Sequence, residues 1–274
     1  MNRKYRNRRN PRRGYGLLGL LITLVCVLIL FSITMTALNQ RITGEGSPRA
    51  GTVRSVQDMM HLTGLYQSML AGARDFQDRR YLTPAGVARS SDRSLNTTAN
   101  FYSAMVAQNY VSPQNLISAN EYSGYVEPMH DYDFTRYDPQ RGRYWDENFQ
   151  ANLHRLAHVS FAHMPFFGER YERSWRATMD GRVVLIGNRG PKDGIDDPDS
   201  MTYGRDGNWG GHIVFGDGSV QFTDRFTPAG LTYERDGQAD PDNIFAMEDG
   251  ASGRDMILAF TEEMTRDGPV LQYD

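Results

Sequence analysis

Between Arg13 and Arg41 the chain carries no charged side chain, and within that interval Leu17 to Leu38 is dominated by Leu, Ile and Val. At about 1.5 Å of rise per residue, a helix over this stretch reaches roughly 33 Å, which matches a hydrocarbon core of about 30 Å. Thr23, Ser32, Thr34 and Thr36 are compatible with it, because their hydroxyls bond carbonyls one turn back. A secretory signal has a shorter apolar region ending in a small-x-small site, and Met35 two positions before Ala37 makes a poor one. The feature therefore predicts a transmembrane helix over 15–40. It fixes where everything else must fold: residues 52–274 form the remaining domain, after a hinge over 41–51 rich in Gly, Ser and Pro.

Charge sets the orientation. Arg3, Lys4, Arg6, Arg8, Arg9, Arg12 and Arg13 precede the span, and residues 1–14 hold no acid. Such a leader stays cytoplasmic under the positive-inside rule, so the expectation is a single-pass inner-membrane protein with its C-terminal domain outside the cytoplasm. Seven of the 30 basic residues lie in the leader, and the other 23 face 33 acidic ones, a net of −10. That sign argues against nucleic acid as a partner of the folded part. The single cysteine, Cys26, lies inside the apolar run, so the domain has no internal disulfide and no thiol catalyst.

Beyond the hinge, Val53, Val56, Met59, Met60, Leu62, Leu65, Tyr66, Met69 and Leu70 fall at helical spacing, which predicts an amphipathic helix over 52–75 that covers a sheet. A second helix is expected over 96–109, and Asp146 is expected to cap a short one running to Ala157. Residues 110–145 read as loop. The stretch from Arg182 to Ile186 reads as a buried strand, residues 213–222 as a hairpin turning at Gly216-Asp217-Gly218-Ser219, and 255–264 as a closing helix or strand. Helices first and strands later imply an α+β domain with an antiparallel sheet.

Several clusters carry chemistry on paper. His154 and His158 are four apart on the expected helix, with His163 five further on, which makes them a candidate zinc set. Asp193, Asp196, Asp197 and Asp199 crowd oxygen ligands into one loop, a candidate calcium site, and Asp236, Asp240, Asp242 and Asn243 form a second acidic group. The alternative for each is a solvated or locally bonded side chain. Gly14-Tyr15-Gly16-Leu17-Leu18-Gly19 matches G-x-G-x-x-G by letter but has arginines rather than a strand before it. No G-x-S-x-G, H-E-x-x-H or P-loop is present.

Residues 12–24, Arg-Arg-Gly-Tyr-Gly-Leu-Leu-Gly-Leu-Leu-Ile-Thr-Leu, resemble the class III signal of bacterial type IV pilins and type II secretion pseudopilins. Two further stretches are similar to one large pseudopilin-like family: Met60 to Tyr66 in the long helix, and Gly210 to Phe222, which includes Phe215, Asp217, Gly218, Ser219 and Val220. The resemblance implies a pilin-like head, cleavage between Gly14 and Tyr15 by a prepilin peptidase, and other pilin-like subunits as partners alongside the membrane. It implies a structural role without catalysis or an obligate cofactor, calcium being an option that some pseudopilins use. The sequence departs from the family at the fifth mature position, where Gly19 replaces the usual glutamate. It also lacks the paired-cysteine Cys-Pro-Ser stretch, and the family's histidine falls near Gly207, with His212 much closer to the Asp. The missing glutamate at Gly19 points to a minor or tip-type subunit, or to a non-polymerising anchor. A membrane-anchored extracytoplasmic metal-dependent hydrolase and a binding or sensor domain are the alternatives.

Overall fold

The computed structural model describes residues 52–197, 209–250 and 253–274. The leader, the apolar run, the hinge and Asp199 lie outside these residues. Among the described residues no helix is long and apolar enough to cross a membrane. Contacts divide the chain into two units, Met1–Ser47 and Pro48–Asp274, and all described residues belong to the second.

That unit is α+β with antiparallel sheets. Helix α1 spans Val53–Ala73 and is N-capped by Thr52, whose hydroxyl accepts from the Ser55 amide at 3.1 Å. Helix α2 spans Thr98–Ala107, N-capped by Thr97, and is almost wholly buried. A shorter α3, Gly168–Ser174, was not legible in the sequence. The central sheet has four strands in sequential order: β1 (Phe161–His163), β2 (Val184–Asn188), β3 (Gly211–Phe215) and β4 (Val220–Thr223). Pairing is antiparallel throughout, with Ile186 opposite Val214 and Val214 opposite Val220. A bulge between Val184 and Ile186 adds local twist. Two hairpins follow, β5–β6 (Thr232–Arg235, Gln238–Pro241) and β7–β8 (Phe260–Thr265, Gly268–Gln272).

Helix α1 lies against β2, β3 and β4. Every residue of β2 and β3 is buried, so these strands are covered on both faces and lack the alternation of a half-solvated sheet. The expected strand ran to Ile186; it continues to Asn188. The expected hairpin is present, but its first strand begins at Gly211. Of the 255–264 segment, read as helix or strand, the part from Phe260 onward is strand β7, and the residues before it form neither helix nor strand apart from a bridge at Ala259.

The expected helix from Asp146 to Ala157 does not form. Ala151–Asn152 and Leu156–Ala157 instead pair as a two-residue antiparallel ladder. Asp146 is buried, and its carboxylate accepts from the amides of Asn148 and Asp133, both at 3.0 Å, while Asn152 accepts from the His154 amide. Short polar side chains here satisfy backbone groups in turns and outcompete the helix.

Candidate functional site

The two stretches that carry the family resemblance within the described residues meet each other. Gly216-Asp217-Gly218-Ser219 turns β3 into β4, and one Asp217 oxygen accepts from both the Ser219 amide (2.9 Å) and its hydroxyl (2.7 Å). Those bonds favour the ionised carboxyl, so Asp217 titrates below the usual range. Gly218 sits at φ +86°, in the left-handed region, and a Cβ there would meet the Tyr66 ring at 2.6 Å. From α1, the Tyr66 hydroxyl donates to the Gly216 carbonyl at 2.7 Å. Burial pushes the Tyr66 phenol pKa up, so it remains a donor. The glycine is thus required twice: by its own backbone and by the tyrosine seated on it.

Nearer the start of α1 the helix–sheet contact is polar. Val53 and Met60, expected on the apolar face, are 85% and 64% exposed, while Ser55 and Asp58 are fully buried. Asp58 accepts from the Asn188 side chain of β2 at 2.8 Å and from the Ala119 amide at 3.3 Å. Asn188 in turn accepts from the His212 amide of β3 at 2.7 Å. His212 Nε2 lies 3.2 Å from Ser55 Oγ, and its Nδ1 lies 3.9 Å from Asp58. The order Ser, His, Asp echoes a hydrolytic triad. Here, however, the serine and aspartate have no solvent access, His212 is only 3% exposed, and the carboxylate is also committed to Asn188 and Ala119. Burial lowers the His212 pKa to about 4, so the imidazole is neutral at physiological pH. The geometry docks a helix on a sheet through a buried polar network, where each partner is costly to remove.

Among the described residues, the sequence-suggested metal ligands do not form a common site; Asp199 lies outside them. His154 is exposed in a turn. His158 is buried, with Nδ1 bonded to the Glu127 carbonyl at 3.1 Å. His163, on β1, has both ring nitrogens engaged: Nε2 with Thr98 Oγ1 at 2.9 Å and Nδ1 with the Met164 carbonyl at 2.7 Å. Their i, i+4 spacing loses its meaning once the helix beneath it is gone. Asp193 and Asp196 are exposed, and Asp196 accepts from the Trp209 amide at 3.4 Å. Among the described residues, no three His, Cys, Asp or Glu side chains form a group able to hold a metal ion.

Sequence reasoning missed an internal charge network. Asp242 belongs to an acidic run that reads as solvated, yet it is fully buried beside Asp255 and Arg170. Arg170, on α3, ion-pairs with Asp255 at 2.9 Å and donates to the carbonyls of Gly250 and Gly253. Asp242 accepts from the Met256 amide at 2.8 Å, while its other oxygen has no hydrogen-bond partner. Burial pushes the Asp242 carboxyl up to about 7. A second buried set joins Arg189 to Glu121 and Asp274. Each links segments roughly 70 to 85 residues apart, so no local pattern announces them.

No protein-family model matches the chain, and neither does any curated protein or solved structure.

Proposed function

We propose that this chain is a pseudopilin-like, membrane-anchored structural subunit of a type II secretion or type IV pilus-like system, of the minor or tip type. The observation that carries the reading is the contact of Tyr66 on α1 with Gly216 and Gly218 at the hairpin tip. It joins the two resembling stretches into one helix-on-sheet unit, with α1 following the apolar run in the chain. The work of such a subunit is assembly through the membrane helix and the head. The separate placement of His154, His158 and His163 lends nothing to the metal-dependent hydrolase alternative.

Gly19 shapes the choice of a minor role. Cleavage after Gly14 leaves a positive amine on Tyr15 next to an apolar helix. Burying an isolated ammonium costs several kcal/mol, and in the family the fifth-position glutamate of a neighbour offsets it. Gly19 offers no carboxylate, so a homopolymer would bury one unpaired amine per subunit. A single copy at a tip, its amine paired with the subunit below, would bury none. N-terminal sequencing and intact mass of the protein from native membranes test the reading: a chain beginning at Tyr15 is expected, and one beginning at Met1 removes the processing half. Purified fibres made chiefly of this chain would overturn the minor role.

A further inference from the structure

Along one side of α1 runs a groove of about 640 Å³, bounded by the loop that follows α2 and by the 129–134 segment. None of its lining residues is Asp, Glu, Lys or Arg, in a chain in which those four types make up 23%. Without Lys, Arg, Asp or Glu the groove offers no permanent charge to a phosphate, a cation or an acidic ligand. Its polar groups include the imidazoles of His61 and exposed His130 and three carboxamides: Asn109, Gln114 and Asn115 are exposed on the lining, and their side chains make no hydrogen bond to the described residues. A carboxamide both donates and accepts, which is what a hydroxyl requires of its partner.

The site also has rigid aromatic walls. Phe134 is half exposed, with its ring 4.9 Å from that of buried Tyr132. Its turn is pinned by Asp133, which accepts from both the amide and the hydroxyl of Thr135. On the other side, the Tyr110 ring packs at 3.4 Å from where a Cβ on Gly72 would stand, and its hydroxyl donates to Asp75 at 3.1 Å. Asn109 stands at the rim with φ +58°, in the left-handed region. A half-exposed aromatic face suits the C–H face of a sugar ring, and flanking amides suit its hydroxyls. Volumes of this size hold ligands of drug-like dimensions, which includes a short oligosaccharide.

We propose that this groove binds a neutral oligosaccharide, with Phe134 as the stacking platform and Gln114 and Asn115 as hydroxyl partners. The proposal is independent of the assembly reading. The test presents the full chain, in a polyoxyethylene detergent free of sugar headgroups, to an array of neutral oligosaccharides, anionic oligosaccharides and uncharged peptides. Binding to one or more neutral oligosaccharides is expected, with a Kd that rises at least threefold in both Phe134→Ala and Asn115→Ala. Tyr125→Ala, which removes an exposed aromatic outside the groove, is expected to leave the Kd within threefold. Near-ultraviolet circular dichroism confirms that each variant is folded, and exposed Gln114→Ala replaces either one that is not. The proposal is overturned by absence of binding to neutral oligosaccharides, by tighter binding to anionic ones or to peptides, by either groove variant staying within threefold, or by an equal loss in Tyr125→Ala.

Discussion

Replacing Asp242 with asparagine should stabilise the domain at alkaline pH and not at acid pH. Asp242 is fully buried, one of its oxygens has no hydrogen-bond partner, and its carboxyl is pushed from 3.8 to about 7 chiefly by burial. The native state therefore holds a proton that the unfolded chain releases near pH 3.8. The group's contribution to stability is complete below that pH and is lost as pH rises to about 7. At 1.36 kcal/mol per pH unit, the whole loss is about 4 kcal/mol, and the part between pH 5 and pH 8 is about 2 to 3 kcal/mol. His163 and His212 work in the opposite direction. Burial lowers both from 6.5 to about 4, so their contribution is complete above 6.5 and is lost as pH falls towards 4. Their slopes mask that of Asp242 in the wild type, and subtracting wild type from Asp242→Asn removes them. Asparagine keeps an acceptor for the Met256 amide and carries no charge to bury. The assay is denaturant unfolding of the full chain in non-ionic detergent, followed by tryptophan fluorescence. All three tryptophans, Trp145, Trp175 and Trp209, are buried in the described domain. The variant's gain over wild type should be about 2 to 3 kcal/mol larger at pH 8 than at pH 5. A gain equal at the two values would refute the reasoning.

Gly218→Ala should cost about 1–3 kcal/mol by urea unfolding, since it adds a clash with Tyr66 to the strain of a positive φ. Gly230→Ala, at φ +84° with nothing within 4 Å, carries only the conformational cost, and equal losses at the two positions would dismiss the Tyr66 contact. Tyr66→Phe, which deletes the bond to the Gly216 carbonyl, should cost about 1 kcal/mol, and no change in the unfolding midpoint would assign that bond no net worth. Protease added to intact spheroplasts should remove residues beyond about 50 and spare the N-terminus; a C-terminal reporter active only in the cytoplasm would reverse the orientation.

What the sequence determined by itself were features of local or one-dimensional origin. An uncharged apolar run needs no tertiary partner to be recognised, because its length and flanking charge alone set its compatibility with a bilayer. The helix over 53–73 and the turn at 216–219 follow from 3.6-residue periodicity and from Asp-Gly turn chemistry, and the structure places both within a residue or two of expectation. What only the tertiary structure decided concerns burial and long-range pairing. Val53 and Met60 fit the helical apolar pattern yet face solvent, while Ser55 and Asp58 are buried because Asn188 and His212 wait for them on the sheet. Strands β2 and β3 are covered on both faces, so their sequences could not say which side chain meets α1. His154, His158 and His163 share a spacing but not a helix, since Asp146 and Asn152 spend their side chains on turns. Asp242 reads as one more acid in a hydrophilic run. Only packing puts it inside, opposite an arginine 72 residues earlier in the chain, and a carboxyl's titration depends on that surrounding rather than on its neighbours in sequence.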